Sequence, residues 1–352
     1  MTAHSSTASY SSRAKTGWTF RCTRHSRPGS AGTRLPGFRP GQLRDALSPG
    51  GGLVKVRCMR RTLHLWPLDQ ACDAHAATLR LHLGATAAAA RRHHLSVPEL
   101  ARWAESSITE LHDGPLSYRD LQERIGKQHP ATGVEEIPLG IKWAWESGHI
   151  ACRNTATSLH REARQFALLN HAHPGLSLAS DDPHAATIRL VRRYLRAYGP
   201  AAEGDLLWWS GLPRTQVSLA LAALRPEITL LHVHGLKGEQ MALTCDIDQL
   251  RTSQPLPDDH VRLLAFEDPS FKGYFTTRSR YHDPAHTTRA FNPIGEVRAT
   301  ITVAGRIAGT WAWDKKTRTV QHELFARAPR HVSRLIRLQL DRTQAFLRGE
   351  PC

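Results

Sequence analysis

The chain has 352 residues, a length that suits two or three domains. Of these residues, 22% are charged and 40% are apolar, proportions typical of a globular protein. Its formal net charge of +16 attracts polyanions, among which nucleic acid is the usual one. No apolar stretch approaches the roughly 20 residues that span a bilayer. The six cysteines include no Cys-x-x-Cys pair, which argues against a zinc ribbon and a disulfide framework.

Residues 1–34 form a basic head that is rich in Ser, Thr, Arg and Gly and has no helical or strand periodicity. No acidic residue precedes Asp45, and the basic residues up to Arg44 supply eight of the sixteen net positive charges. Three explanations stay open: a disordered segment, an organelle transit peptide, or a mistaken gene start or reading frame. The remaining body is only moderately basic. A soluble enzyme from a high-GC organism, whose proteins are rich in arginine, is therefore an alternative to a nucleic-acid-binding protein.

Residues 35–92 are predicted to hold a short helix, a β-hairpin and a long helix. The stretch PGFRPGQLRDAL reads as a turn into a short helix, and GGLVKVRCMRRTLHLWP alternates apolar and polar residues from Val54 to Leu65 as paired strands do. An Ala-rich helical stretch follows from about Leu68 to Arg92.

Residues 93–175 are predicted to form three helices and a strand. Ser96 is the predicted N-cap of the first helix, with Pro98 and Glu99 in its first turn. A Gly-Pro turn separates it from the second helix, the third runs from about Val134 to Glu146, and GHIACRNT is a Gly-initiated strand. Three helices followed by a β-wing is the order of a winged helix.

Residues 185–250 repeat this plan. Ile188, Val191 and Tyr194 begin an apolar helical stripe that ends before Gly199-Pro200. A second helix contains Trp208 and Trp209, a third follows the Gly-Leu-Pro turn, and EITLLHVHGLKGEQMALTC predicts two strands and a turn. Finding the plan twice favours tandem winged helices.

Residues 260–352 are predicted to form a β-rich domain with a closing helix. VRATITVAGRIAGTWAWDKKTRTVQHELF alternates as a meander of at least three strands would, with Trp311 and Trp313 on one strand face. RHVSRLIRLQLDRTQAFLRG is amphipathic and predicts a helix that closes the chain. The predicted fold class is therefore α+β, with tandem winged-helix modules and a C-terminal β-rich domain.

Several of these segments resemble one known family. MRRTLHLWP (59–67), YLRAYGPAAEGDLLWWSGLP (194–213), VRLLAFEDPSFKGYFTTRSRY (261–281) and VAGRIAGTW (303–311) are similar to the winged-helix family that includes the AlkZ and YcaQ type DNA glycosylases. The resemblance implies tandem winged helices around a basic channel for double-stranded DNA. It also implies, for some members, hydrolysis of the bond between deoxyribose and an alkylated purine, and unhooking of interstrand crosslinks, without metal or organic cofactor.

The resemblance also implies a catalytic Gln-apolar-Gln or Gln-apolar-Asp motif upstream of the Arg-x-Thr-Leu-His segment. No Gln precedes Leu35, and the first in the chain is Gln42. Phe20 and Cys22 stand where the paired polar side chains are expected, and neither orients a water as an amide or a carboxylate does. The sequence therefore predicts DNA binding and names no catalytic residue. The alternative to a glycosylase is a non-catalytic DNA-binding protein, either a regulator or a degenerate paralogue.

The candidate DNA contacts come from four places in the chain. The first is a predicted polar strand face in the hairpin, and the second is the start of the third helix in the 185–250 segment. The third is the turn of the second wing, and the fourth is a basic aromatic loop. Each has a solvent-exposed or mobile surface as its alternative. The residues are Arg60, Thr62, His64, Arg214, Gln216, Lys237, Lys272, Arg278 and Arg280.

The paired tryptophans, Trp208 and Trp209, are predicted to pack in a helical core and against a neighbouring module rather than to stack on bases. The 21 histidines include no His-Glu-x-x-His motif, so no metal site is predicted. We expect a monomer in the bacterial cytoplasm, associated with the nucleoid, that has double-stranded DNA as its partner and contacts no membrane.

Overall fold

A computed structural model describes residues 37–130, 135–156 and 163–349, together with the backbone of Phe20–Arg21, which is strand β1. The remainder of the basic head predicted at 1–34, including Cys22, lies outside the described residues. So does Val134, where the third helix of the 93–175 segment was expected to begin.

The chain divides into two compact units. We call Leu43–Val191 with Leu212–Leu221 the first unit, and the second unit comprises Met1–Gln42, Arg192–Gly211 and Ala222–Cys352.

The first unit opens with a β-hairpin and a long helix. Helix α1 (Pro40–Ala46) precedes strands β2 (Leu53–Cys58) and β3 (Thr62–Pro67), which pair antiparallel, and helix α2 (Leu68–Arg92) follows directly. Alternation of apolar residues in the sequence made this hairpin predictable, although Lys55 and His64 between them are also buried. The expected bounds of the long helix are confirmed.

Three helices follow in the predicted order. They are α3 (Val97–Glu110), α4 (Tyr118–Gln128) and α5 (Glu136–Glu146). Ser96 caps α3 as predicted, because its hydroxyl accepts from the backbone N–H of Glu99 while the Glu99 carboxylate accepts from the backbone N–H of Ser96.

A small sheet covers these helices. Strands β4 (Leu116–Ser117), β5 (Ile150–Asn154) and β6 (Arg164–Leu168) form it in the order β4-β6-β5. Leu111, Leu121, Ile125, Ile141 and Ile150 are buried between helices and sheet as one apolar core. Helix α6 (Leu169–Ala172) ends this part of the chain.

The second three-helix segment has the same element order. Its helices are α7 (Pro183–Tyr198), α8 (Glu203–Ser210) and α9 (Arg214–Ala223). Helix α7 ends immediately before Gly199-Pro200, as predicted, and α8 ends at Gly211, whose φ of 68° suits glycine. Strands β7 (Ile228–His232) and β8 (Glu239–Leu243) then pair antiparallel, followed by helix α10 (Ile247–Thr252).

The rest of the second unit is a four-stranded antiparallel sheet with a closing helix. The strands are β9 (Val261–Leu264), β10 (Thr300–Val303), β11 (Arg306–Asp314) and β12 (Thr319–Leu324), in the order β12-β11-β10-β9. Short helices α11 (Pro269–Lys272) and α12 (Thr287–Ala290) lie in the long connection between β9 and β10.

Helix α13 (Arg330–Arg348) packs on this sheet through Val332, Ile336 and Leu340. The predicted meander and amphipathic closing helix are therefore confirmed. The mixed helix and sheet content agrees with the predicted α+β class.

Candidate nucleic-acid interface

The turn between β2 and β3 exposes two arginines. Arg60 and Arg61 adopt positive φ values of 52° and 58°, and Cys58 pairs with Thr62 across the turn. The prediction that Arg60 shares a strand face with Thr62 and His64 is therefore wrong, because β3 begins only at Thr62. Arg60 instead projects from an exposed hairpin turn.

Thr62 and His64 fix that turn from inside. The Thr62 hydroxyl lies 2.9 Å from Nε2 of His64, and both side chains contact the carbonyl oxygen of Met59, at 3.1 and 3.3 Å. His64 is 5% exposed, so the expected open polar floor is a buried contact instead. DNA contact by these residues stays a prediction.

A buried carboxylate beside the hairpin was missed by sequence reasoning. Glu146 is 1% exposed at the end of α5; its Oε2 accepts from the Thr86 hydroxyl at 2.5 Å, and its Oε1 lies 3.3 Å from Nε of Arg57. Lys142 Nζ and His82 Nδ1 lie farther from that oxygen, at 3.9 and 4.0 Å. These partners come from β2, α2 and α5, so distance along the chain hides the cluster.

Burial sets the protonation of this cluster. Desolvation lowers the pKa of Arg57 despite the attraction of Glu146. Desolvation, assisted by the positive charge of Arg57, lowers the pKa of His82 to about 3. His82 is therefore neutral near pH 7, and Arg57 is the basic group nearest to the Glu146 carboxylate.

At the start of α9, some of the predicted DNA-contacting residues are exposed and one points inward. Arg214 and Thr215 are exposed. Gln216 turns inward, because its amide nitrogen donates to the carbonyl oxygen of Ala77 at 2.9 Å and to the hydroxyl of Thr187 at 2.8 Å. The prediction that Gln216 reads DNA is corrected in this respect, since those internal hydrogen bonds use the donor that would reach a base.

The turn between β7 and β8 presents Lys237 to solvent, which fits both the predicted phosphate contact and its alternative of a solvated hairpin tip. Gly235 and Gly238 have φ values of 78° and 71°, which glycine adopts without strain. The buried amide of Gln240 donates to the carbonyl oxygens of Lys237 and Gly238, at 3.1 and 3.3 Å. The backbone at the tip is therefore held in place beneath an exposed ammonium group.

Asp205 in α8 organises the basic aromatic loop. Its Oδ1 accepts from the backbone N–H groups of Phe275, Thr276 and Thr277 at 2.7, 2.7 and 3.2 Å, and its Oδ2 accepts from the Thr277 hydroxyl at 2.6 Å. Burial raises the pKa of this carboxyl, but hydrogen bonds led by Thr277 outweigh it and leave the pKa below its usual range. The alternative of a mobile loop does not fit this arrangement.

Lys272 is only 8% exposed, so its predicted role on an open loop is corrected. Its Nζ lies 3.1 Å from a carboxylate oxygen of buried Glu267 and 4.7 Å from the ring centroid of Trp208. The Arg278 guanidinium also lies over Trp208, at 5.3 Å, and over Phe275 at 4.5 Å. The structure thus brings Lys272 and Arg278 together around one indole.

Arg280 belongs to the same loop but uses its donors internally. Its guanidinium donates to the carbonyl oxygen of Pro200 at 3.0 Å and to the Thr277 hydroxyl at 2.9 Å, and it lies 3.9 Å from the Tyr274 ring centroid. The prediction that Arg280 is an open phosphate contact is therefore corrected to a loop-fixing contact.

The turn between β11 and β12 carries cations that the sequence analysis did not select. Lys315, Lys316 and Arg318 are exposed, while Oδ1 of Asp314 accepts from the backbone N–H groups of Lys316 and Thr317, at 2.8 and 3.2 Å. The signal was present in the string DKKTRT, a turn sequence between two alternating stretches.

Comparison with known proteins now identifies the family. The sequence profile described as "DNA glycosylase AlkZ-like" matches residues 29–346, which is most of the chain. The chain belongs to the AlkZ-like family. This confirms the resemblance from sequence motifs.

A solved structure agrees with this assignment at the level of the fold. The AlkZ-like chain matches "Streptomyces sahachiroi DNA glycosylase AlkZ" with a TM-score of 0.69 and 19% identity, over 85% of this chain and 80% of that chain. No curated protein matches the sequence at a significant level.

Two further features bear on the class of site in this AlkZ-like protein. In the part of the chain that the structure describes, no group of three or more His, Cys, Asp or Glu side chains has a metal-binding arrangement. Among the same residues, no helix combines the length and apolarity that crossing a membrane requires.

Proposed function

We propose that this AlkZ-like protein binds duplex DNA and hydrolyses the N-glycosidic bond of bulky N7-alkylated purines. The observation that carries the proposal is the family match over residues 29–346. Crosslink unhooking is a further member of the same reaction class, since it breaks the same bond on one side of a crosslink. The proposed setting is DNA repair at the bacterial nucleoid by a monomer.

Repetition of one element order supports DNA binding. Helices α3–α5 with hairpin β5–β6, and helices α7–α9 with hairpin β7–β8, both follow the winged-helix order, and we interpret them as tandem modules. The segment 35–92 then corresponds to the rest of a first module, with Arg60 at the tip of its hairpin. Exposed cations at Arg60, Lys237 and Lys316 lie at hairpin turns, where they reach phosphates.

Hydrolysis of this N-glycosidic bond requires few catalytic groups from the protein. A purine alkylated at N7 is cationic and leaves readily, so the enzyme positions a water near the anomeric carbon and stabilises oxocarbenium-like charge. The buried carboxylates of Glu146 and Asp205 are occupied by internal partners. They therefore hold the fold rather than the water, and no described residue is assigned the catalytic role.

A non-catalytic DNA-binding protein is the second candidate. The specific observation in its favour is the absence of Gln before Leu35, with Phe20 and Cys22 at the positions that the motif would take. The side chains of both residues lie outside the described residues. Translation of the genomic DNA upstream of Leu35 in all frames tests whether a Gln-x-Gln or Gln-x-Asp motif belongs to the intact gene.

One experiment separates the two candidates. The purified protein is incubated with duplex DNA that contains either N7-methylguanine or guanine with a bulky N7-alkyl group. Abasic sites are quantified for both, and binding is measured over a range of salt concentrations. Abasic product supports the glycosylase, and salt-sensitive binding without product supports the second candidate. Failure to bind any duplex at low ionic strength would refute both.

A further inference from the structure

The outward face of α13 carries a row of arginines that the proposed site does not use. Val332, Ile336 and Leu340 cover the sheet, so the opposite side of the helix faces solvent. Arg330, Arg334 and Arg337 are exposed on that side. None of these three guanidinium groups has a carboxylate within 4.0 Å among residues 37–130, 135–156 and 163–349.

The spacing places the three side chains in one line. Steps of four and then three residues return to the same helical face, and at 1.5 Å per residue the row from Arg330 to Arg337 is about 10 Å long. Phosphates along one DNA strand rise by about 3.4 Å each along the duplex axis, so a row of this length covers about three phosphate intervals measured along that axis. A guanidinium group also presents paired donors that fit a phosphate.

The same face includes other groups that define its charge. Helix α13 holds five arginines and one acidic residue, Asp341, which lies one turn after Arg337 on the arginine side. Leu338 is exposed nearby, but it is a single apolar side chain rather than a stripe suited to membrane insertion. Charge complementarity therefore favours a polyanion with regularly spaced phosphates.

We propose that the arginine row of α13 binds the phosphodiester backbone of duplex DNA, as a contact additional to the hairpin turns. The inference rests on the proposed DNA-binding function and extends it to a surface formed by one helix. Binding through this row is independent of base sequence and of the lesion, because it involves phosphates alone.

The test replaces the three arginines together, as Arg330→Gln, Arg334→Gln and Arg337→Gln. Affinity for an undamaged duplex is measured against salt concentration by fluorescence anisotropy. Each lost phosphate contact reduces the slope of log K against log [salt] by about 0.9, so the triple variant is expected to have a slope smaller by about 2 to 3. The Asp341→Asn variant is expected to bind more tightly at low salt, because it removes repulsion from the same face.

The matched control removes the same charge where it is already paired. Arg102, Arg119 and Arg251 are highly exposed, and each lies within 4.0 Å of a carboxylate on its own helix. The variant with Gln at these three positions is expected to keep a slope within about 1 of the wild type. Circular dichroism and thermal unfolding of both triple variants check that the fold is retained.

The outcomes are distinct. A reduced slope for the α13 variant alone supports the proposal. A wild-type slope for that variant, in a wild-type protein that binds duplex DNA, overturns the α13 contact and leaves the proposed function standing. Absence of DNA binding by the wild type refutes both. Loss of binding to phosphatidylserine vesicles, with DNA binding unchanged, would overturn the proposal by assigning the row to a membrane surface.

Discussion

Replacing Asp205 with asparagine is expected to destabilise the second unit severely. The carboxylate accepts hydrogen bonds from the backbone of Phe275, Thr276 and Thr277 and, through Oδ2, from the Thr277 hydroxyl and the backbone N–H of Ala202 at 3.3 Å. The asparagine side chain accepts hydrogen bonds only through its oxygen. Since donors face both carboxylate oxygens of Asp205, the amide nitrogen of the variant would face at least one of these donors.

The magnitude follows from those contacts. A hydrogen bond to a charged acceptor contributes about 1 kcal/mol more than one to a neutral acceptor, and three backbone donors make this exchange. A donor left facing a donor adds about 1–3 kcal/mol to the roughly 3 kcal/mol from the three backbone donors, so the expected total loss in unfolding free energy is about 4–6 kcal/mol. Urea denaturation followed by tryptophan fluorescence measures it, with Trp208 and Trp209 on the same helix as reporters.

Asp248→Asn is the matched control, because Asp248 is almost fully exposed and pairs only at 3.8 Å with Arg251. It is expected to change the unfolding free energy by less than about 0.5 kcal/mol. Because the folded pKa of Asp205 is lowered, its stabilisation is present above the unfolded carboxyl pKa and is lost as pH falls through the folded value. An Asp205→Asn variant within 1 kcal/mol of the wild type would refute this account of the loop.

Three further changes have defined outcomes. The folded pKa of His82 is lowered to about 3, so as the pH falls the unfolded chain binds a proton at this histidine before the folded protein does. The unfolding free energy is therefore expected to fall by about 2–3 kcal/mol between pH 6.5 and 4.5, measured by denaturation at a series of pH values. His82→Leu is expected to remove this part of the pH dependence. Gly273→Ala places a Cβ against the ring of buried Tyr198 and is expected to cost about 1–3 kcal/mol in urea denaturation. Arg60→Ala is expected to weaken binding to any duplex sequence and to reduce the salt slope by about 1.

Each of these has its own check. His112→Gln, a change at an exposed histidine, should leave the unfolding free energy near neutral pH within about 0.5 kcal/mol of the wild type. Gly84→Ala lies in the middle of α2 with open space around the added Cβ, and it should stabilise the protein by about 0.5–1 kcal/mol. An unchanged affinity after Arg60→Ala would remove this residue from the interface.

The elements that sequence predicted well are those with local causes. Ser96 and Glu99 specify the start of α3 by hydrogen bonds within four residues, and Gly199-Pro200 ends α7 by the geometry of proline. Periodicity of apolar residues likewise located the strands of the meander and α13, although β10 buries consecutive residues and therefore both of its faces.

The site was predicted less well because its contacts join distant parts of the chain. Gln216 turns inward toward Ala77, 139 residues away. Buried Lys272 packs over Trp208, which lies far earlier in the chain on α8. The alternation in MRRTLH continues through a turn, so apolar periodicity could not distinguish Arg60 in the turn from Thr62 in the strand. Whether Arg60 and Thr62 touch DNA stays a prediction.

The carboxylate of Glu146 at the end of α5 contacts β2 and α2, so these three segments of the first unit can be exchanged with those of a relative only together. Its nearest partners are Arg57 in the hairpin and Thr86 in α2, so a chimaera that imports the hairpin of a relative with an apolar residue at position 57 would leave the buried carboxylate without the basic group closest to it. Grafting experiments within the family should therefore transfer positions 57, 86 and 146 together. Substitutions at these positions are expected to arise in evolution as coordinated changes.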